Sequence, residues 1–486
     1  MNNEFKYENR QIIPRWLPFY KYNHLNKDNN DPLPINDEEK INLYKINMEW
    51  RENPSISIAI QLIATYEVLE IKQNKYYRDA LKFLIKNDKL KNNNLLTEII
   101  KTKIEVNNHL NKNLSGRKEI NSIRKLLSIY PNNPIMWIDL SYYHLLEGNI
   151  EKAKKCINIA LSLNNTNSFI IRSASRFYIH LEEPERALSI IRNSPSLFLD
   201  PVILSSEIST SKAFDIKTHN IKKAHSLINS KNFHPAKLSE LNATLATNEF
   251  VNGKSRKGKQ LLNEALTFPN ENILAQVQFL NDRFDANFNI NSVKVPCSFE
   301  VDCWKYYQER NYKAVQKESE KWFYFQPFSA RPAILNSYIK TMFYNDYDGA
   351  IKILNIALKL SPYEFSLLNN KAFSLAKLGN TKEAEEVIKS ININNSLNIE
   401  DLAVIKATQG LIHYKNNNNN TGYALYQQAV NIFKQHNNFE RQCKATYQWA
   451  LEENLFNKEE SDKLMLVVKN LAIKYNIEDV RYVLNI

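Results

Sequence analysis

Small side chains recur along this chain at two successive spacings, twelve residues and then seven. The clearest copy consists of Ser141, Ala153 and Ala160. The other copies are Ser175, Ala187 and Ser194; Ala246, Gly258 and Ala265; Gly410, Gly422 and Ala429; and the shorter Ala372 and Ala384. Small residues let two helices cross closely, and seven residues are close to two helical turns. The spacing therefore predicts a series of antiparallel helix pairs.

Glycine marks the turn inside three of these pairs. The 486-residue chain holds only 8 glycines and 16 prolines, too few for the turns of an open sheet or a sandwich. Yet Gly148, Gly253 and Gly379 each follow the first small residue of a copy by seven positions. A helix that ends in the left-handed conformation favours glycine there. The five asparagines at 416–420 reach the same point of another copy and are predicted to form an exposed turn.

This period resembles the tetratricopeptide repeat, a helix–turn–helix unit of about 34 residues. In the clearest copy the resemblance is carried by Trp137, Leu140, Ala153 and Ala160, and Pro362 stands where that family often ends a helix. It implies an all-α fold, a right-handed α-solenoid of helix–turn–helix repeats. It is closest in kind to bacterial members of the family that have no attached catalytic domain.

The frame of the repeat suggests five segments. They are an aromatic and proline-rich N-terminal arm at 1–40, an N-terminal solenoid lobe at 41–272, an irregular joint at 273–299, a C-terminal lobe at 300–436 and capping helices at 437–486. The joint is expected because the repeat frame slips between Ile273 and Val295.

Sequence motifs for catalysis are missing. The chain has no Gly-rich phosphate loop, no HExxH and no GxSxG. Its four cysteines, Cys156, Cys297, Cys303 and Cys443, are scattered and complete no zinc pattern. We therefore expect no enzyme, no catalytic residues, no metal and no cofactor.

The inner surface of a solenoid is lined by the first helix of each pair and is where such proteins usually bind partners. Among the residues that the resemblance assigns to this groove are seven candidate binding residues: Tyr142, Arg172, Arg176, His180, Asn369, Phe373 and Lys377. Arg172 and Arg176 are four residues apart on one helical face, so they can hold a carboxylate or phosphate of a partner. The other interpretation is that both arginines pair with acids of this chain.

Basic residues are in excess over part of the chain, where residues 101–250 hold 20 Lys and Arg against 13 Asp and Glu. A basic turn formed by Lys254, Arg256, Lys257 and Lys259 follows. As a phosphate contact, this turn and the excess over 101–260 indicate nucleic-acid binding, the alternative function. As a solvated surface, they indicate nothing about a partner.

The N-terminal arm is rich in prolines and aromatic residues. A disordered tail is usually poor in aromatic residues, so Trp16, Phe19 and Tyr20 are predicted to dock. Two destinations remain open, the chain's own solenoid and another protein. A second aromatic stretch, at 322–339, contains Trp322, Phe325 and Phe328, which are either core residues or a binding ridge.

The function that we expect is a non-enzymatic scaffold or adaptor that binds a protein partner along the groove. By analogy, it is an accessory subunit of a bacterial multi-protein system, of the stress-response or phage-defence type. The first ten residues show no secretory signal, and no apolar run is long enough to span a membrane. We therefore expect a cytoplasmic protein with no membrane partner.

Overall fold

The computed structural model describes residues 13–16, 37–68, 74–86, 116–230, 232–290, 293, 295, 297–392 and 397–486. Within these ranges the chain is helical and contains no strand. It divides into two compact units. The smaller unit contains the described residues of Leu17–Glu147 together with Lys152–Leu163, and the larger one contains residues 13–16, Gly148–Glu151 and Asn164–Ile486.

The smaller unit is built from six helices. They are α1 (Asp37–Glu52), α2 (Ile56–Val68), α3 (Lys75–Lys86), α4 (Arg117–Ile129), α5 (Pro134–Leu146) and, except for its first two residues, α6 (Ile150–Leu163). A core of Trp50, Leu62, Tyr66 and Leu84 joins α1, α2 and α3. The ring of Trp50 meets Phe83 edge-on, with 5.3 Å between ring centroids. Helix α1 begins at Asp37, within the range expected for the arm.

The larger unit contains the remaining helices. Its first half consists of α7 (Ser168–His180), α8 (Pro184–Arg192), α9 (Pro201–Ala213), α10 (Ile221–Asn229), α11 (Pro235–Val251), α12 (Ser255–Ala265) and α13 (Glu271–Phe284). Its second half consists of α14 (Phe299–Gln308), α15 (Tyr312–Phe325), α16 (Arg331–Tyr344), α17 (Tyr347–Leu360), α18 (Phe365–Lys377), α19 (Thr381–Ser390), α20 (Ile399–Lys415), α21 (Asn419–Gln435), α22 (Phe439–Glu453), α23 (Lys458–Lys474) and α24 (Glu478–Leu484).

The small residues of the repeat lie where paired helices cross, as predicted. Ser141, Ala153 and Ala160 are fully buried, and the Ser141 hydroxyl donates to the carbonyl of Ala153 across the pair. One close crossing joins α20 and α21, where a Cβ added to Gly422 would lie 2.6 Å from Tyr414 and 3.0 Å from the carbonyl oxygen of Gly410. No side chain larger than hydrogen fits at Gly422 without displacing its neighbours.

The turns between paired helices use left-handed residues. Gly148, Gly253 and Gly379 have φ values of 75°, 74° and 82°, which confirms the role predicted for these three glycines. Asparagine takes the same place in other pairs, including Asn417 within the predicted 416–420 turn, where φ is 59°. Asparagine tolerates this region better than most residues because its short side chain bonds locally.

Consecutive first helices contact one another, which gives the larger unit the packing of a helical solenoid. Helix α7 contacts α9, α9 contacts α11, and the series α16, α18, α20 and α22 continues in the same way. The all-α fold of tetratricopeptide-like repeats is therefore confirmed. Helix α13 has no second helix, since the described residues between Asp285 and Ser298 are not helical. This accounts for the slip of the repeat frame.

The last helix, α24, is held by a buried carboxylate. Asp479 accepts hydrogen bonds from the hydroxyl groups of Tyr307 and Tyr338 and from the Lys444 ammonium, the last two at 2.6 and 2.7 Å. Although burial opposes ionisation, the charge of Lys444 holds the pKa of Asp479 well below its usual range. The α22–α24 end of the larger unit is thus fixed against α14 and α16.

No helix among the described residues is long and apolar enough to cross a membrane. The aromatic residues Trp322, Phe325 and Phe328 are buried, as the core interpretation of that stretch requires.

Candidate peptide-binding site

One face of α7 carries Arg172, Arg176 and His180, which the sequence assigned to a groove. They recur every four residues because α7 is regular from its cap, where the Asn167 carboxamide oxygen accepts from the amides of Phe169 and Ile170. All three side chains are partly buried within the larger unit. The face is therefore covered by other parts of this chain.

Arg172 is paired with an acid of α11. Its guanidinium lies 2.6 Å from Glu240, and the two side chains are only 13% and 10% exposed. Asn270, the cap of α13, also donates to Glu240 at 2.9 Å. Since the carboxylate is held from two sides, Arg172 has the local acidic partner that the second sequence interpretation expected.

Arg176 is in a different position. Its guanidinium donates to the carbonyl oxygen of Phe328 at 2.7 Å, and among the described residues no carboxylate lies within ion-pair distance of it. Burial, together with the nearby charge of Arg15, lowers the pKa of Arg176 to about 10. The group therefore stays charged at neutral pH.

His180 lies against the same loop. Its ring centroid is 5.1 Å from that of Phe328. Burial and the neighbouring Arg176 cation lower the pKa of His180 to about 4. The imidazole is thus neutral at physiological pH and acts as a packing surface.

A segment of the N-terminal arm, residues 13–16, completes this region. Trp16 is 4% exposed and packs between Phe177 of α7 and Phe328, with ring centroids 5.9 and 5.2 Å away. The side-chain amide of Asn272 donates to the main-chain carbonyl of Ile13 at 3.1 Å. We call this region the arm site and define it by Phe177, Phe328, Asn272 and the acids that face Arg15.

Those acids are Glu271 and Glu300. The Arg15 guanidinium lies 3.8 Å from Glu271 and 3.6 Å from Glu300, and Glu300 is also 2.9 Å from Arg331. Both carboxylates lie in the first turn of a helix, α13 and α14 respectively, where the helix dipole favours negative charge. Burial nevertheless raises the pKa of Glu271.

Together these groups have the chemistry of a peptide-binding site. An aromatic pocket receives an aromatic side chain, two carboxylates receive a cation, and a side-chain amide reads a main-chain carbonyl. Recognition of a main-chain group gives affinity that does not depend on sequence, while the two side-chain pockets select residue types.

The other predicted groove residues also contact their own chain. In the smaller unit Tyr142 is buried against Tyr143. In the larger unit Asn369 accepts from Thr408 at 2.8 Å, and Lys377 lies 2.7 Å from Glu452 and beside the ring of Phe373. The arm residues Phe19 and Tyr20 lie outside the described residues.

The basic turn at the start of α12 is not uniformly free. Lys257 lies 2.9 Å from Glu249, within a cluster that includes His225. Lys254 and Arg256 are exposed and Lys259 is partly exposed. One of the four basic side chains of this turn, Lys257, is therefore already paired with an acid of the same chain.

Four residues of the arm site escaped the sequence analysis, namely Phe177, Glu271, Asn272 and Glu300, and so did Arg15 of the arm. The consecutive residues Arg15 and Trp16 in the arm were a usable signal in the sequence, since both residue types are frequent at binding hot spots. Glu271 and Asn272 follow an Asn that caps a helix, which predicts a helix start and nothing more. Their partners lie more than 250 positions earlier in the chain.

Comparisons with known proteins concern the fold of this chain and not its function. No protein-family model matches this chain, and no curated protein matches it. Among solved structures, the Cut9–Hcn1 hetero-tetramer of the APC/C is similar with a TM-score of 0.40 and 11% identity, over 91% of this chain and 88% of that one. The human IFIT1 dimer with PPP-AAAA has a TM-score of 0.32 and 13% identity, over 90% and 96%. Yeast Tom70 has a TM-score of 0.29 and 12% identity, over 74% and 92%.

Proposed function

We propose that this protein is a non-enzymatic helical-repeat scaffold that binds a segment of a protein partner in the arm site. The single observation that supports the proposal is that residues 13–16 already bind there, through main chain, cation and aromatic ring at once. In the free protein the arm occupies the site, and the partner takes its place.

The chemistry of the site defines the partner segment. It carries a basic side chain next to an aromatic one, because Glu271 and Glu300 receive a cation beside the ring of Phe328. A carboxylate in the partner would gain more than the arm does, because Arg176 has no carboxylate partner among the described residues. Of the two arginines assigned to an acidic partner, only Arg176 keeps that proposed role.

The experiment measures binding of a synthetic peptide with the sequence of residues 9–22. The receptor is the full-length chain with Arg15→Ala and Trp16→Ala, in which the arm is weakened but every site residue on the helices is kept. Fluorescence anisotropy should show that the peptide binds this variant, and that it binds the wild-type chain at least about tenfold more weakly because the arm competes.

A peptide with the same two alanine substitutions is the matched control, and it should bind neither chain. Circular dichroism of the double variant checks that the helices are intact. If the wild-type peptide fails to bind a folded double variant, the arm site is not a peptide-binding site and the proposal fails.

Nucleic-acid binding is the alternative outcome of a capture experiment from the host. Retention of nucleic acid, with an affinity that falls steeply between low and moderate salt, would indicate phosphate contacts in place of a peptide. A partner protein that competes with the peptide of residues 9–22 would support the scaffold.

A further inference from the structure

Helix α23 presents apolar side chains on both of its faces. One face, with Leu464, Val468 and Ala472, is buried against α22. On the opposite face Leu466 and Ile473 are each 61% exposed. They are seven residues apart, which is close to two helical turns, so they lie on one line along the helix.

The equivalent helix of the preceding pair does not do this. The outward residues of α21 include Gln427, Gln428, Asn431 and Lys434, all exposed and all polar. The outward face of α21 is therefore polar at these positions, and the apolar line on α23 differs from it. An exposed apolar patch is typical of an interaction surface.

Rotation of α23 does not offer a way to bury this line. The Cys443, Tyr447 and Val468 cluster fixes its inner face against α22, and the Ser461 hydroxyl donates to the carbonyl of Ala450 at 2.8 Å. At the end of the helix, the buried Asp479 holds the next segment in place. Within the part of the chain that the structure describes, the apolar line thus stays exposed.

Charge is distributed unevenly along α23. Its first turns carry three acids and two bases, a net charge of −1, and they are Glu459, Glu460, Asp462, Lys458 and Lys463. Its second half carries two bases and no acid, a net charge of +2, and they are Lys469 and Lys474. In a parallel pair of such helices the two basic halves would repel. In an antiparallel pair each basic half meets the acidic half of the other helix.

We propose that α23 is a self-association surface, on which two copies of this chain pack their α23 helices antiparallel about a two-fold axis. A two-fold contact requires a surface that complements itself, and the charge reversal along α23 provides this. Leu466 and Ile473 of each copy form its apolar centre. Leu455 and Phe456, which are 65% and 47% exposed in the turn just before α23, are further exposed apolar side chains near the start of this helix.

The contact is small. A stable interface usually buries about 800 Å² on each partner, and one helix face with its preceding turn offers less. We therefore expect a dimer that dissociates on dilution. This inference uses neither the arm nor the arm site, so it stands or falls independently of the proposed function.

Sedimentation of the full-length chain across about 1–100 μM tests it, the range in which weak dimers of this size dissociate. The wild-type chain should pass from monomer to dimer. The double variant Leu466→Lys and Ile473→Lys should weaken the dimer by about 100-fold or more, with an unchanged melting temperature because both side chains are exposed. Leu199→Lys, at another exposed leucine, is the control and should leave the dimer intact.

Charge reversal tests whether the two α23 helices face each other and in which direction they pack. One variant carries Glu459→Lys and Asp462→Lys, and the other carries Lys469→Glu and Lys474→Glu. Each alone should dimerise more weakly than the wild type, because its α23 then carries charge of one sign in both halves, and an equimolar mixture should recover the dimer because the two helices then carry opposite signs. A variant that combines all four changes tests the direction, since it still has opposite charges in the two halves of α23. It should dimerise with itself through an antiparallel contact and should not pair with the wild-type chain, with which only a parallel contact would oppose unlike charges. A wild-type chain that stays monomeric, a dimer that survives the lysine substitutions, or a mixture that recovers nothing would each overturn the proposal.

Discussion

Two helix faces reverse the usual rule that charged surfaces are exposed and apolar surfaces are buried. They are the face of α7 that carries Arg172, Arg176 and His180 and the outer face of α23. The α7 face is charged, yet it is covered by the arm and by the loop after α15. The α23 face is apolar at Leu466 and Ile473, yet it is exposed. In a solenoid, a helix face is buried when another segment of the chain packs against it and exposed when none does.

Mutations on the two faces should consequently have different effects on the stability of the folded chain. The α7 region depends on pairing, because a charge left alone in a buried place is costly. The α23 face contributes little to the folded state of one copy, because its side chains are in water before and after folding. Comparable mutations should therefore lower the stability of the fold when they fall on the α7 face and leave it unchanged when they fall on the α23 face.

The largest difference is expected between Trp16→Ala and Leu466→Ala. Removal of the buried indole should lower the free energy of unfolding by about 3 kcal/mol, while truncation of the exposed leucine should change it by less than about 0.5 kcal/mol. Urea denaturation, at protein concentrations where the chain is monomeric, measures both. Equal losses in the two variants would mean that the arm does not bury Trp16.

A smaller difference is expected between two ion pairs. Glu240→Gln leaves Arg172 without its carboxylate in a mostly buried place and should cost about 2 kcal/mol. Glu459→Gln breaks the exposed pair with Lys463 on α23 and should have no measurable effect on the unfolding midpoint. Unfolding of the two variants at the same urea concentration would contradict the expected difference between the two ion pairs.

The last expected effect is a pH dependence contributed by His180, which is absent at neutral pH and appears only as the pH falls. The pKa of His180 is about 4 in the folded chain, below its unfolded value of about 6.5. The folded state therefore binds fewer protons, so the contribution of His180 to stability is complete above pH ~6.5 and is lost as the pH falls towards 4. The stability of a His180→Gln variant should fall less between these two pH values than that of the wild type. Parallel curves for the two proteins would show that His180 is not buried in solution.

Local features of the fold were predictable from the sequence. The small-residue spacing located the helix crossings, and three glycines and the 416–420 asparagines located turns, because each depends on contacts between residues close in the chain. The candidate site was predictable only in part. Trp16 was assigned to docking and α7 to binding, but nothing in the sequence joined them.

The sequence by itself determined the helix pairs, their turns and the close crossing of α20 and α21 at Gly410 and Gly422. These features follow from helix geometry and from the conformational freedom of small residues, which act over a few turns. Only the tertiary structure decided which charges are buried. Arg15 meets Glu300, and Arg172 meets Glu240, because stacked helices bring distant segments together, and whether a helix face is covered depends on which segment reaches it.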